Sequence, residues 1–177
     1  MAQQDIKQAV MKIIEGVTAS PKNGQLKYEV NTNWEGDVLC SAKIRNFETL
    51  TVDEPPAFGG GDTGASPVEL VLAALGTCQE IMYSALASVM DIPLEECKVK
   101  LTGDLDLRGL LGMSDDESVP PGFTEITYET HIKSTASKND LTTLVNAVEN
   151  QCPVLDMLQR QVTVTGNAFA NGEKLSV

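Results

Sequence analysis

The run Ser66-Pro67-Val68-Glu69, followed by Leu70 to Val89, constrains this chain more than any other segment. Ser66 can cap a helix, Pro67 suits a first turn where a missing N–H costs nothing, and Glu69 completes an S-x-x-E capping box. From Leu70 onward apolar residues cover most of the helix circumference, which marks a helix wrapped by a core rather than laid on a surface. The pattern predicts a helix from about Pro67 to Met90, ended by Asp91-Ile92-Pro93, with a thiol, Cys78, in its middle.

Around it the signals alternate between helix and strand. Ile6, Val10, Ile13, Ile14 and Val17 recur at helical spacing over residues 4–17, and Ser20-Pro21-Lys22-Asn23-Gly24 stops that helix. Short alternating segments follow: Leu26, Tyr28 and Val30; Val38, Cys40, Ala42 and Ile44; Leu50 and Val52, joined by turns such as Trp34-Glu35-Gly36-Asp37. Residues 53–64 form a Pro/Gly-rich loop whose glycines 59–61 allow close approach of a ligand or a partner chain. Cys97 to Leu107 and Phe123 to Ile132 alternate as strands. Between them, residues 108–122 read as a loop with a short helix and an acidic Asp115-Asp116-Glu117 run. Ser137 opens a third helix ending near Cys152, Pro153 starts a short one to about Arg160, and Val162-Thr163-Val164-Thr165 reads as a closing strand. The order β-β-β-α-β-β-α-α-β is an α+β arrangement, not an alternating parallel-sheet fold. The chain divides into an N-terminal helical extension, residues 1–24, and one domain, residues 25–177.

At 177 residues the chain can bury a core without disulfide staples. Its formal charge of -12 and 13 scattered cationic residues disfavour nucleic acid as a partner, because phosphate binding needs clustered Lys and Arg. No run of about 18 apolar residues free of polar ones appears, so no membrane span is expected. Met1-Ala2-Gln3-Gln4-Asp5 lacks the basic and apolar regions of a signal peptide, which predicts a cytoplasmic protein. Four cysteines without such a signal argue against a disulfide framework and leave metal, redox or packing roles.

A metal role has little support. His131 is the single histidine, and no C-x-x-C pair exists among cysteines 40, 78, 97 and 152. No Gly-Lys-Ser/Thr follows the 59–64 glycine loop, so it is not a Walker loop, and no cofactor motif stands elsewhere. Cys78 shares a helix face with Ala74, Leu75, Ile81 and Met82, a setting that by itself favours packing. Cys152 precedes Pro153 at the start of a new helix, where free N–H groups and the helix dipole stabilise a thiolate. Cys40 and Cys97, on strands with apolar neighbours, fit the core. Glu80, two residues beyond Cys78, is a charge that needs a partner or lines a site.

Ser-Pro-Val-Glu-Leu-Val-Leu-Ala-Ala-Leu-Gly-Thr-Cys (66–78) and Gln-Cys-Pro-Val (151–154) resemble the two signature regions of the OsmC/Ohr family, the osmotically inducible and organic hydroperoxide resistance proteins. The likeness runs from about Leu26 to Val164, which makes 25–177 an OsmC-like domain. It implies antiparallel sheets wrapped around two long central helices in an intertwined homodimer. It further implies thiol peroxidase chemistry in an oxidative stress response. Cys78 would be the peroxidatic thiol and Cys152 its resolving partner, acting on an organic hydroperoxide with a thiol reductant and no cofactor. The family's active peroxidases carry a glutamate directly after the motif proline and an arginine upstream. Here Val68 holds the first position, Glu69 is displaced by one residue, and Arg45 is the closest upstream arginine. Arg45, Glu69 and Glu80 are therefore the supporting candidates. The loss of the usual pair also motivates an alternative: a non-enzymatic OsmC-like module that binds a small hydrophobic ligand or senses redox state.

Overall fold

The computed structural model describes residues 3–113 and 118–176, so the acidic run Asp115-Asp116-Glu117 and the first two residues lie outside the described residues. Its elements are α1 (Gln3–Ala19), β1 (Asn31–Gly36), β2 (Leu39–Lys43), β3 (Leu50–Val52), α2 (Pro67–Val89), β4 (Glu96–Leu105), α3 (Leu107–Leu110), β5 (Phe123–Lys133), α4 (Lys138–Gln151), α5 (Pro153–Gln159), β6 (Phe169–Ala170) and β7 (Glu173–Lys174). The result is an α+β fold with antiparallel sheets.

The apolar length of α2 decides the layout. By length and composition it would pass as a membrane span, with 23 residues and a mean hydropathy of 1.4. Instead it packs against α1, β4 and α4, and its mid-helix Glu80 accepts the Val99 N–H of β4 at 3.2 Å. Gly76 lets α2 lie close on β4, since a Cβ there would stand 2.7 Å from Leu101 Cδ1. β4 and β5 form a long antiparallel ladder that pairs Cys97 with Ile132 and Leu101 with Tyr128. Strict alternation turns Cys97, Val99 and Leu101 inward and the intervening Lys98 and Lys100 outward.

Two buried clusters result. Tyr83, Ala87 and Ile92 from α2 and its exit meet Leu144 and Val148 of α4. Leu75 of α2 meets Cys152 and Leu155 at the α4–α5 corner, with Cys78, Leu101, Ile126 and Tyr128 packed against them. The first turn of α1 is tied beyond the end of α2: the Gln3 side chain donates to the Ile92 carbonyl at 2.9 Å, and Lys7 pairs with Asp91.

Three local expectations change. The α1 stripe is split: Ile6, Val10 and Val17 are half-buried, whereas Ile13 and Ile14 face solvent. Leu26, Tyr28 and Val30 form no strand; the first sheet begins at Asn31. Val162–Thr165 is not a strand either, and the chain ends in a two-residue-per-arm hairpin turning on Asn171 and Gly172. Alternation makes a segment able to extend, but it becomes a strand only where a neighbouring edge accepts its N–H and C=O groups. No described edge of the chain does so here, and Val164 is 90% exposed.

Candidate active site

The Ser66 cap forms as the sequence implies. The Ser66 N–H donates to Glu69 Oε2 at 2.8 Å, and Ser66 Oγ accepts the Glu69 N–H at 3.5 Å. These hydrogen bonds hold the Glu69 carboxyl below its ordinary range. Glu69 thus caps the helix about two and a half turns of α2 before Cys78, and its carboxylate is engaged by Ser66.

Upstream of the cap, the structure shows an organiser that the sequence reading missed. Asp53 is buried, and its carboxylate accepts the Thr63 hydroxyl (2.7 Å) and the N–H groups of Glu54 (2.8 Å), Thr63 (3.0 Å) and Gly61 (3.1 Å). Those bonds, Thr63 foremost, hold its carboxyl below the usual carboxylate range. The glycines serve this fold-back: a Cβ at Gly60 would stand 1.8 Å from the Glu54 carbonyl oxygen. The close approach expected of a ligand is made by the chain's own backbone. An aspartate placed before Pro-Pro and a glycine cluster was the available signal.

Cys152 is both the C-cap of α4 and the N-cap of α5. Its N–H donates to the Val148 carbonyl and its carbonyl accepts the Asp156 N–H, both at 2.9 Å. Pro153 lacks an N–H and so begins α5 without an orphan donor. This corner turns the fully buried Cys152 toward α2, where its Sγ lies 3.4 Å from Cys78 Sγ. Burial pushes the Cys78 thiol up; the Val154 N–H of α5 opposes that shift and the neighbouring Cys152 adds to it. No cation figures among those influences.

The remaining candidates stand apart from the pair. Arg45 occupies an exposed turn in the left-handed region (φ 50°) with its guanidinium 4.5 Å above the Phe47 ring. Glu80 is engaged with β4 and lies near Cys97, whose thiol burial pushes up to about 11. Cys97 belongs to the other cluster, and Cys40 faces Trp34 and Val52 in the first sheet. His131 is exposed beside Glu129. Among the described residues no three His, Cys, Asp or Glu side chains gather as a metal site.

Polar groups also surround the pair. Gln79 is buried, and its Oε1 has no partner. Tyr128 donates its hydroxyl to Glu149 Oε1 at 3.2 Å, with the Gln79 side chain beside it. A cavity of about 400 Å³, lined by Leu75, Phe123, Ile126, Tyr128, Leu155 and Leu158 among others, opens beside the same cluster.

A sequence search of curated proteins finds no match. Solved structures share the fold. An OsmC-like protein from Mycoplasma pneumoniae superposes with a TM-score of 0.64 at 20% identity, covering 76% of this chain and 89% of that one. An organic hydroperoxide resistance protein OsmC from Legionella pneumophila gives 0.57 at 19% identity over 76% and 92%. An organic hydroperoxide resistance protein from Elizabethkingia anophelis gives 0.53 at 18% identity over 75% and 89%. The family model described as OsmC-like protein matches residues 59–167, from the Asp53-clamped loop through both thiols, and the chain belongs to that family.

Proposed function

We propose that this protein is a thiol-dependent peroxidase that reduces organic hydroperoxides with Cys78 and Cys152. The observation that carries the reading is the 3.4 Å separation of the two sulfurs across a core corner. In the first step the Cys78 thiolate attacks the terminal peroxide oxygen. An S–O bond forms, the O–O bond breaks, and the alkoxide leaves as an alcohol after taking the thiol proton, so sulfur is oxidised to a sulfenic acid and the peroxide is reduced. Cys152 then attacks that sulfur; the S–S bond forms, the S–O bond breaks and water leaves. A dithiol returns two electrons and reopens the disulfide by exchange. The apolar wall of Leu75, Met82 and Leu101 suits an organic peroxide better than hydrogen peroxide.

The same reading includes a homodimer. The chain exposes 13178 Å², whereas a compact monomer of its mass would expose about 8,400 Å². The surplus, about 4,800 Å² on one chain, exceeds the roughly 1,000–2,500 Å² per partner that obligate interfaces commonly bury, so an extensive partner contact has room to form. Exposed apolar residues along α2, Val68, Val71 and Ile81, are consistent with that contact. The N-terminal helix then stands as an addition to the family domain.

A second reading rests on a different observation: Cys78 is raised by burial, and Val68 stands where the family's activating glutamate would be. On that reading the scaffold binds a small hydrophobic ligand or senses redox state without turnover. Cumene hydroperoxide with a dithiol distinguishes the two. The peroxidase consumes peroxide catalytically, and Cys78→Ser abolishes this. Peroxide consumption by Cys78→Ser at the wild-type rate would defeat the enzyme reading; thiols that oxidise once without turnover favour the sensor.

A further inference from the structure

The residue after one thiol and a residue one turn before the other flank one tyrosine, Tyr128. Gln79 directly follows Cys78 on α2, and Glu149 precedes Cys152 by three residues on α4. Between them Tyr128, on β5, has the Gln79 amide beside it and donates its hydroxyl to Glu149 Oε1 at 3.2 Å. The Tyr128 ring meanwhile packs against the cluster that contains Cys152, opposite Leu101 of β4.

Gln79 is a costly choice for this place. It is 1% exposed, yet its Oε1 finds no partner, and a buried acceptor left open is destabilising. A leucine would fill the same space without that cost. Its amide is explained if its task is to meet Tyr128 and fix how α2 lies against β5. Glu149 fixes α4 against the same hydroxyl. The groups that act electrostatically on Tyr128 are Glu149 and Cys152, with Tyr83 of α2 nearby.

We propose that Tyr128 is the positioning residue of the thiol pair: its ring, packed against the cluster of Leu75, Cys78 and Cys152, and its hydroxyl, bonded to Glu149, set α2 against α4 so that Cys152 faces Cys78 within attacking distance. The assignment rests on the disulfide step proposed above and names what governs it. Tyr128 exchanges no electrons or protons with the sulfurs; the reaction remains sulfenic acid plus thiol giving disulfide plus water.

The test resolves the two steps in the full chain, using cumene hydroperoxide, dimedone to trap Cys78 sulfenic acid, and quenched mass analysis for the disulfide. In Tyr128→Phe, Cys78 oxidation should keep its rate within about twofold, while disulfide closure slows about ten- to a hundredfold, as expected for a misplaced reacting group. Glu149→Gln, which keeps an acceptor for the hydroxyl, should close like wild type, and Glu149→Ala should slow like Tyr128→Phe. The double variant Tyr128→Phe/Glu149→Ala should be no slower than either single one, because both remove one link. Closure by Tyr128→Phe at the wild-type rate, or oxidation and closure falling together, overturns the assignment while leaving the peroxidase reading intact. A wild-type protein that forms no disulfide overturns both.

Discussion

Cys152 Sγ lies 3.4 Å from Cys78 Sγ although 74 residues separate them in the chain. A disulfide needs about 2.05 Å, so closing the bond asks for a movement of about 1.4 Å at a corner formed by two helix ends. Peroxide treatment is expected to link these two cysteines and leave Cys40 and Cys97 free. Cys152→Ser should instead accumulate Cys78 sulfenic acid and proceed to sulfinic acid with excess oxidant. Peptide mapping after alkylation reads both outcomes, and a Cys78–Cys97 link would contradict the pairing.

Burial raises the Cys78 thiol above its ordinary value of 9.0, and only the thiolate attacks peroxide. The second-order rate of Cys78 oxidation is therefore expected to climb about tenfold per pH unit through neutrality and to be still rising at pH 9. Peroxide-rate measurements across that range check it. A plateau near neutral pH would mean that a cation holds the thiolate, and Arg45→Ala would then be the variant to examine.

Asp53 should govern acid stability of the loop that leads into α2. Its folded-state carboxyl lies below the ordinary 3.8, so its contribution is present above that value and is lost as pH falls through the folded one. Asp53→Asn is expected to lower the melting temperature at neutral pH, with the gap to wild type narrowing as pH falls below the ordinary 3.8. Thermal melts of both proteins over that range decide; a gap that persists in acid would remove the carboxylate from the account.

Leu144 is fully buried between α4 and α2. Leu144→Ala should cost about 2–5 kcal/mol of unfolding free energy, from lost burial and the cavity left behind. Urea denaturation measures it. A loss below about 0.5 kcal/mol, typical of surface changes, would mean that this cluster is not a packed core.

Ile81 is 67% exposed in the middle of the most apolar helix of the chain. If a second copy covers it, Ile81→Asp should shift the sedimentation coefficient from dimer toward monomer at micromolar concentration. Unchanged sedimentation of a dimeric protein would move the interface elsewhere.

Several features could be read because their causes lie within a few residues. The start of α2 follows from Ser66, Pro67 and Glu69, whose bonds span three positions. The α4–α5 corner follows from Cys152-Pro153 in the same way. Asp53 escaped notice because its partners Gly61 and Thr63 approach only after the loop folds back. Tyr128 escaped too, since neither Gln79 nor Glu149 is near it in sequence. Val162–Thr165 shows the reverse error: its alternation is real, but strand formation needs an edge that the described residues do not offer it.

The capped helix, the alternation of β4 and β5, and the helix-to-helix break at Pro153 are legible from residue order alone, because propensity, capping and periodicity act locally. That Cys78 and Cys152 meet, that Glu69 serves the cap, and that Glu80 turns to Val99 emerges from the packed fold. Those outcomes depend on how distant elements pack around α2, and close packing fixes such distances in a way that residue identity at one position does not.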